Sequence, residues 1–435
     1  MAIKDQASIL SKLRIEALNP MQEEAHSAIT SNSETILLSP TGTGKTLAFL
    51  LPIIKTLDPD QKEIQVLIVV PSRELAIQIE QVVREMGTGY KTNAVYGGRA
   101  GSKDKMEIKH RPAILIGTPG RVADHIRREN FSTDYVKTLV LDEFDKSLEI
   151  GFELEMSEIL DALPSLKKKV LTSATQGVEV PDFVELHNPV IVNYLKEGTS
   201  QLKIKRVITP LKDKLGVLLE TICHLGNQPG IVFCNFRDSI ERVSEFLTKK
   251  GIDHGCFHGG MEQQDRERVL IQFRNGTHRL LIATDLAARG IDIPEIRFII
   301  HYHLPTKDHE FTHRNGRTAR MNSDGVAYVL QSGNERLPDF IDAPEVETLT
   351  KASIPDSTEW QTLFISGGRK DKISKGDIAG LFFRKGELKN DELGIIELKQ
   401  DCAFVSVKAD KVENLIADVN NQRLKKKKVR VSKIQ

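Results

Sequence analysis

Ser39 to Thr46 reads SPTGTGKT and sits where the apolar run Ile36 to Leu38 gives way to a second one, Leu47 to Leu51. Strand, glycine loop and helix is the order this implies. Gly42 and Gly44 let backbone N–H groups turn inward around a phosphate chain, with Ser39, Thr41 and Thr43 as their small neighbours in the loop. Lys45 can reach the β and γ phosphates, and the Thr46 hydroxyl can hold Mg²⁺. The chemistry is that of a nucleoside triphosphate site. Strict GxxxxGK[ST] spacing would put glycine at 39, so serine there makes the motif a variant.

Hydrolysis needs more than a phosphate loop. Asp142-Glu143-Phe144-Asp145 follows the apolar run Thr138 to Leu141. An aspartate in that position can hold the same Mg²⁺, and the adjacent glutamate can orient and deprotonate an attacking water. Ser173-Ala174-Thr175 ends the next run and offers two hydroxyls to the same cleft. Much later, HRNGRTAR (His313 to Arg320) carries Arg317 and Arg320, three apart and therefore expected on one side of a helix. They suit the role of arginine fingers supplied by the chain itself.

Three further loops hold small donors, glycines and arginines: PSREL (Pro71 to Leu75), Tyr96-Gly97-Gly98-Arg99, and TPGR (Thr118 to Arg121). Such groups suit a sugar–phosphate backbone, and three on one edge of one sheet strengthen that reading. In the second half of the chain, Asn235 to Arg237 and ATDLAARGID (Ala283 to Asp292) occupy comparable strand ends.

The elements that must position these residues follow from periodicity. Ile36–Leu38, Val66–Val70, Ala113–Ile116, Thr138–Leu141 and Lys169–Leu171 alternate with amphipathic stretches, which implies a doubly wound parallel sheet over residues 1–200. Ligands of such sheets bind at the C-terminal strand ends. A polar lapse near LKEGTS precedes a second α/β series over 204–337 that lacks a phosphate loop. A proline-bearing linker over 336–358 then leads to 358–435, where the pattern spells β-α-β-β-α-β, a small ferredoxin-like α+β domain whose last strand is expected at Lys428–Val431. RNA-recognition domains share that order, but here only Phe364 and Phe404 are placed to stack bases.

At 435 residues and 40% hydrophobic content, the chain can bury the cores of about three domains. Its longest uncharged apolar stretch, Leu47 to Ile54, contains Pro52 and is too short to span a bilayer, and no signal-peptide pattern opens the chain. A cytoplasmic monomer with no membrane role is expected. Cys223, Cys234, Cys256 and Cys402 are scattered and fit buried thiols better than a disulfide frame or zinc site. Residues 356–435 hold 17 Lys and Arg against 12 Asp and Glu, a balance of +5 that leaves −4 on the rest. On charge alone, the run Lys425 to Lys428 is equally a solvated tail or a nucleic-acid contact.

The ordered set SPTGTGKT, PSREL, TPGR, DEFD, SAT, ATDLAARGID and HRNGRTAR resembles the DEAD-box family of RNA helicases over nearly all of residues 15–335. The resemblance implies two tandem RecA-like domains that bind ATP and Mg²⁺, clamp RNA, and locally bend and part a short duplex in an RNA-dependent ATPase cycle. By motif, it assigns Lys45 and Thr46 to phosphate and metal, Asp142 to the metal, Glu143 to the water, Arg317 and Arg320 to the γ-phosphate, and Asp292 to the ribose. Pro71, Arg73, Gly98, Thr118, Arg121, Arg237, Gln263, Arg266 and Thr284 fall at positions that resemble the family's RNA-backbone contacts. Gln22 looks like the glutamine that reads adenine, since a side-chain amide can both donate and accept.

Two departures stand out. Ile15 replaces the aromatic expected to stack on adenine, and Phe144 puts a ring into the third position of the DEAD motif. Residues 361–435, opening with TLFISGGRKDKI, are similar to the C-terminal domain of DbpA-type DEAD-box proteins. That similarity implies a structured RNA partner, a hairpin of large-subunit ribosomal RNA, and a role in ribosome assembly. A DNA-directed superfamily 2 helicase and an ATP-gated RNA clamp with little turnover are the rival readings. Against them stand the joint presence of PSREL, GG and TPGR, and of Glu143 with both arginines.

Overall fold

The computed structural model describes residues 5–98, 101–149, 151–175, 180–195, 202–285, 296–318, 325–333 and 335–434; Asp292 and Arg320 lie outside this set. Two compact units divide near Ser200.

The first unit is built on seven parallel strands: β1 (Glu34–Leu38), β2 (Val66–Val69), β3 (Thr92–Val95), β4 (Ile114–Gly117), β5 (Thr138–Leu141), β6 (Lys168–Ser173) and β7 (Val190–Asn193), in the order β3-β4-β2-β5-β6-β1-β7. Strands β2, β4 and β5 are buried at every residue, as expected where helices cover both faces of a parallel sheet. Alternate residues feed two cores. Val66, Ile68, Ile114, Ile116 and Val140 join one, and Leu67, Val69, Leu115, Leu139 and Leu141 the other. Local signals place the helices: Asn19 and Gln22 form a capping box at the start of helix Pro20–Ser31, and Ser72 caps helix Arg73–Met86 through the N–H of Leu75.

The second unit repeats this order. Strands β8 (Leu202–Thr209), β9 (Gly230–Phe233), β10 (His254–Phe257), β11 (Leu280–Ala283), β12 (Phe298–His301), β13 (Gly325–Ser332) and β14 (Glu345–Val346) run β10-β11-β9-β12-β13-β8-β14, the same order seven strands later. Strand β14 lies within the segment expected to be a linker; it pairs with β8, and nearby Ile341 is buried. Part of that segment therefore completes the second sheet. Where the first unit has its phosphate loop, the second has Lys214. This lysine is buried, donates to Leu330 O at 2.7 Å and pairs with Glu335. Its charge is committed to closing strand ends.

Strands β15 (Trp360–Ile365), β16 (Leu393–Leu398), β17 (Ala403–Lys408) and β20 (Val431–Lys433) form an antiparallel sheet in the order β16-β17-β15-β20. Helices Lys375–Arg384 and Val412–Val419 supply Ile378, Leu381, Phe382, Val412, Leu415 and Val419 to its core. The last strand lies further along than expected. Lys427–Lys428 (β19) instead pairs with Arg423–Leu424 (β18) across a turn in which Lys425 takes φ 54°, and that turn uses up the residues assigned to the strand.

The outer face of this small sheet is docked on the second parallel-sheet domain. Thr362 and Ser406, cross-strand partners, are both buried. The Thr362 hydroxyl meets that of Thr277 at 2.7 Å, Ser406 donates to Asn275 O at 2.8 Å, and Arg274 grips Glu397 with two bonds of 2.8 and 2.9 Å. Glu397 is held below its ordinary pKa because Arg274 outweighs the burial that opposes it. Among the described residues no helix is long and apolar enough to cross a membrane.

Candidate active site

The strand order of the first unit sorts its functional residues. Adjacent strands β5, β6 and β1 end in Asp142-Glu143, Ser173-Ala174-Thr175 and the phosphate loop; adjacent strands β3, β4 and β2 end in Gly97-Gly98, Thr118 and Pro71-Arg73. One edge of one sheet thus groups the residues expected to act in hydrolysis, the hydrolytic half, apart from those expected to meet a sugar–phosphate backbone, the backbone-contacting half, divided where the direction of winding reverses.

In the hydrolytic half the loop turns at Gly42 and Gly44, with φ of 87° and 86°, values that favour glycine. Gly44 is constrained twice, since a Cβ there would stand 2.4 Å from Gln22 Nε2. Ser39 Oγ and Thr43 Oγ1 meet at 2.8 Å, and Lys45 Nζ donates to Pro40 O at 2.8 Å and to Ser39 O. Thr41 and Thr46 are half-buried. Burial pushes Lys45 down to about 8, against the opposing pull of Glu143 and Asp142.

Asp142 is 3% exposed, and burial together with Glu143 pushes its carboxyl up to about 6. Glu143 follows in the left-handed region at φ 51°, which is uncommon for a non-glycine residue. Its carboxylate lies 3.0 Å from Nζ of Lys146, a fully buried lysine. Thr175 Oγ1 donates to Asp145 Oδ2 at 2.9 Å, which ties the SAT segment to DEFD. The buried Asp142 carboxylate, near enough to Lys45 to pull on its charge, and the Thr46 hydroxyl next to Lys45 in the chain are hard-oxygen donors of the kind that fits Mg²⁺. Bound there, the ion would neutralise phosphate charge.

If Asp142 holds Mg²⁺, protons compete with the ion for its carboxyl, which burial and Glu143 push up to about 6. The Mg²⁺ concentration needed for half-maximal tight nucleotide binding is therefore expected to rise as pH falls through about 6, a trend that a Mg²⁺ titration at several pH values measures. For stability the sign is opposite to the usual carboxylate. A raised folded-state pKa favours the folded chain below the unfolded value near 4, and that advantage is lost as pH rises through about 6.

In the backbone-contacting half, the Arg73 guanidinium lies over Gly97-Gly98. A Cβ at Gly98 would stand 2.3 Å from Arg73 Nη1, and Gly98 itself has φ 84°. Arg121 pairs with the buried Asp104 at 2.7 Å, and the N–H of Thr118 donates to Val95 O at 3.2 Å. Asp104 thereby holds Arg121 in place, a role the sequence pattern did not reveal.

The second unit assembles a similar edge from β10, β11 and β9. The Arg266 guanidinium stacks 4.8 Å from the Phe257 ring, Thr284 N donates to Phe257 O at 3.3 Å, and Arg237 stands close enough to Gly260 that a Cβ there would lie 3.0 Å from its Nη1. Gln263 opens the helix Gln263–Arg274 that carries Arg266. Sequence reasoning passed over β10, although Gly259-Gly260 after it echoes Gly97-Gly98. It also passed over Arg314, whose buried guanidinium joins Asp285, Asn235 Oδ1 and His303 O and so ties together the ends of β11, β9 and β12.

One expectation is corrected. Helix Asp308–Asn315 stops at Gly316, and Arg317, 3% exposed, lies in the turn beyond it with its N–H on Arg314 O at 3.1 Å. Arg317 is therefore not on a helix face, because the helix ends at Asn315 before reaching it.

Comparison with known proteins now bears on this geometry. Residues 19–183 match the family model for DEAD/DEAH box helicases, 187–322 that for the helicase conserved C-terminal domain, and 362–433 that for the DbpA RNA binding domain. The DEAD-box ATP-dependent RNA helicase CshB of Bacillus subtilis (strain 168) is 34% identical over 319 residues, covering 71% of this chain and 73% of that protein. The chain belongs to the DEAD-box RNA helicases. The ATP-dependent RNA helicase DbpA of the same organism is similar along almost the whole length, at 29% identity over 95% of this chain and 94% of that one. Among solved structures, Dbp5 of S. cerevisiae bound to RNA and ADP BeF3 superposes with a TM-score of 0.67 at 27% identity, covering 76% of this chain and 88% of that chain. The protein is accordingly an RNA-dependent ATPase with two RecA-like domains.

For a DEAD-box helicase, the two departures have clear structural outcomes. The Phe144 ring is 2% exposed and packs in the core beneath the motif with Leu141, Leu171 and Met156. Ile15 packs partly buried against the other core. Gln22 is fixed over the loop: its Oε1 accepts from Asn19 N at 3.1 Å and its Nε2 donates to Gly44 O at 3.3 Å. An amide has two N–H bonds and two lone pairs, so one of each is left for a base. Gln22→Ala is expected to narrow the preference for ATP over GTP, since a site built to hydrogen-bond its ligand loses discrimination when the partner is removed. Competition binding of the two nucleotides checks this; an unchanged ratio would assign base reading elsewhere.

Proposed function

We propose that this helicase hydrolyses ATP to bind, bend and locally open a structured RNA, ribosomal RNA during large-subunit assembly, and that it acts as a cytoplasmic monomer. The observation that carries the RNA-selective part is the third domain, a basic module of the DbpA RNA-binding type at residues 362–433.

In this reading the phosphates draw Lys45 from the carbonyls of Ser39 and Pro40, and the loop N–H groups from Thr41 to Thr46 close around them. Gln22 reads adenine and Asp292 meets the ribose. Thr46 and Asp142 hold Mg²⁺. Glu143 takes a proton from the attacking water, and Arg317 and Arg320 steady charge developing on the γ-phosphate. Pro71, Arg73, Gly98, Thr118 and Arg121 in the first unit, and Arg237, Gln263, Arg266 and Thr284 in the second, contact the RNA backbone. Turnover then depends on RNA, because the strand must engage both sets.

Selectivity comes from the third module, and phosphate contacts and RNA shape carry it. Phe404 is 7% exposed and the sheet face beside it is covered, which leaves little room for stacked bases. Within the basic hairpin, Lys425 pairs with Asp377 and Lys427 with Asp371, whereas Lys426 and Lys428 make no ion pair among the described residues and are exposed. Replacing Lys426 and Lys428 by alanine should weaken binding to a structured RNA and lower its salt dependence by about one unit of log–log slope per lost contact. Salt titrations of binding measure this, and an unchanged slope would remove the hairpin from the interface.

ATPase rates with ribosomal RNA fragments, generic RNA, DNA and no nucleic acid test the whole reading. Stimulation greatest with a structured ribosomal fragment is the expected result. Equal stimulation by every RNA would leave a general helicase, and stimulation by DNA would overturn the assignment.

A further inference from the structure

At the base of the DEFD turn, a single hydroxyl serves both carboxylate residues. Thr172 is fully buried on β6, one residue before the SAT triplet. It donates its O–H to Asp142 Oδ1 and accepts the backbone N–H of Glu143 at 3.2 Å. Strand register brings them together: Leu141 pairs with Leu171, so the chain leaves β5 at residue 142 beside residue 172. A hydroxyl has one donor and two acceptor lone pairs, enough to satisfy both neighbours at once. More commonly, a buried threonine hydroxyl bonds back to a main-chain carbonyl, as Thr221 does to Val217 O at 2.7 Å. Thr172 bonds instead to the side chain of one site residue and the main chain of the next.

The geometry points to Thr172 as a positioning residue of the hydrolytic site. Its O–H engages Asp142 Oδ1 and so fixes the rotamer of the carboxylate that would hold Mg²⁺, and its oxygen anchors the peptide from which Glu143, at φ 51°, extends. Thr172 acts only through these two residues. The inference rests on the roles given to Asp142 and Glu143 above and adds a third group on which their orientation depends.

Thr172→Val tests it by removing the hydroxyl while keeping the shape, and Thr172→Ser keeps the hydroxyl while losing a methyl group. The measurements are the affinity of a fluorescent ATP analogue with Mg²⁺ and with EDTA, and RNA-stimulated kcat and KM for RNA. Thr172→Val should bind the Mg²⁺-free nucleotide like the parent, need more Mg²⁺ for tight binding, and lose about 10- to 100-fold in kcat at unchanged KM. Thr172→Ser should restore both to within a few fold. An unaltered Mg²⁺ response and kcat in Thr172→Val would overturn the inference. Equal impairment in Thr172→Ser would do the same, since the methyl group would then be the cause. Should Thr172→Val not fold, Thr172→Cys, whose thiol is a weak donor and acceptor, replaces it with the same expected contrast to serine. The parent protein run alongside separates the two levels of the argument: no RNA-stimulated hydrolysis there would defeat the proposed function, whereas a normal parent beside a normal Thr172→Val defeats only this inference.

Discussion

Glu143→Gln should leave ATP and RNA bound together and lower turnover by about 10²- to 10⁴-fold, the range contributed by a positioned proton acceptor. Glutamine keeps the length and polarity of the side chain, and the backbone N–H of residue 143 remains on Thr172, so the turn itself should survive. What disappears is the negative charge, and with it the pairing to Lys146 at 3.0 Å. Losing that partner inside the core will lower thermal stability somewhat, which a melting curve separates from the catalytic effect. Single-turnover hydrolysis and ATP-dependent RNA retention on a filter are the decisive measurements. A variant that no longer binds RNA in the presence of ATP would show that Glu143 serves the fold and not the water.

The second large effect concerns the arginines of HRNGRTAR. Removing an arginine finger from phosphoryl-transfer enzymes costs roughly 10³–10⁵ in rate, so Arg320→Ala should abolish measurable turnover while nucleotide still binds the first domain. Arg317 is a poorer choice for the test. Its side chain is 3% exposed, so its loss would disturb packing as well as chemistry. Near-normal RNA-stimulated hydrolysis by Arg320→Ala would remove it from the mechanism.

Much of this fold was legible in the sequence, for a physical reason. Strands buried on both faces read as continuous apolar runs, and Val66–Val69, Ile114–Gly117 and Thr138–Leu141 stand out from their amphipathic neighbours. Phosphate loops and carboxylate turns are equally legible, because glycine and aspartate are required at fixed spacings. Strands β7, β10 and β14 escaped notice: His254–Phe257 is only half buried and two-residue Glu345–Val346 is exposed, so neither has the run of apolar side chains that marks a strand, while Val190–Asn193 was passed over despite its apolar Val190 to Val192. The partners of functional residues escaped for another reason. Asp104 behind Arg121 and Thr172 behind Asp142 lie 17 and 30 residues from the groups they hold, and the fold alone brings them close, whereas Asn19 behind Gln22 is a local capping box that the spacing of three could have shown. The arginine helix failed because helix Asp308–Asn315 ends before Arg317.

The joint between the third module and the second RecA-like domain has a consequence for scale. Helix Gln263–Arg274 has Gln263 and Arg266 at one end and the Glu397 clamp at the other. Twelve residues of α-helix rise about 18 Å. A flexible tether would let a bound hairpin wander, and its benefit would be only an effective concentration that declines with tether length. On the proposed function, in which Gln263 and Arg266 grip a strand and the third module binds a hairpin, a buried joint would instead hold that hairpin at a set distance and bearing from the strand. The helicase would then work as a caliper: an RNA whose anchoring hairpin and weak duplex lie at the right separation would engage both ends at once, and one with a few nucleotides inserted between them would strain the joint or forfeit a contact.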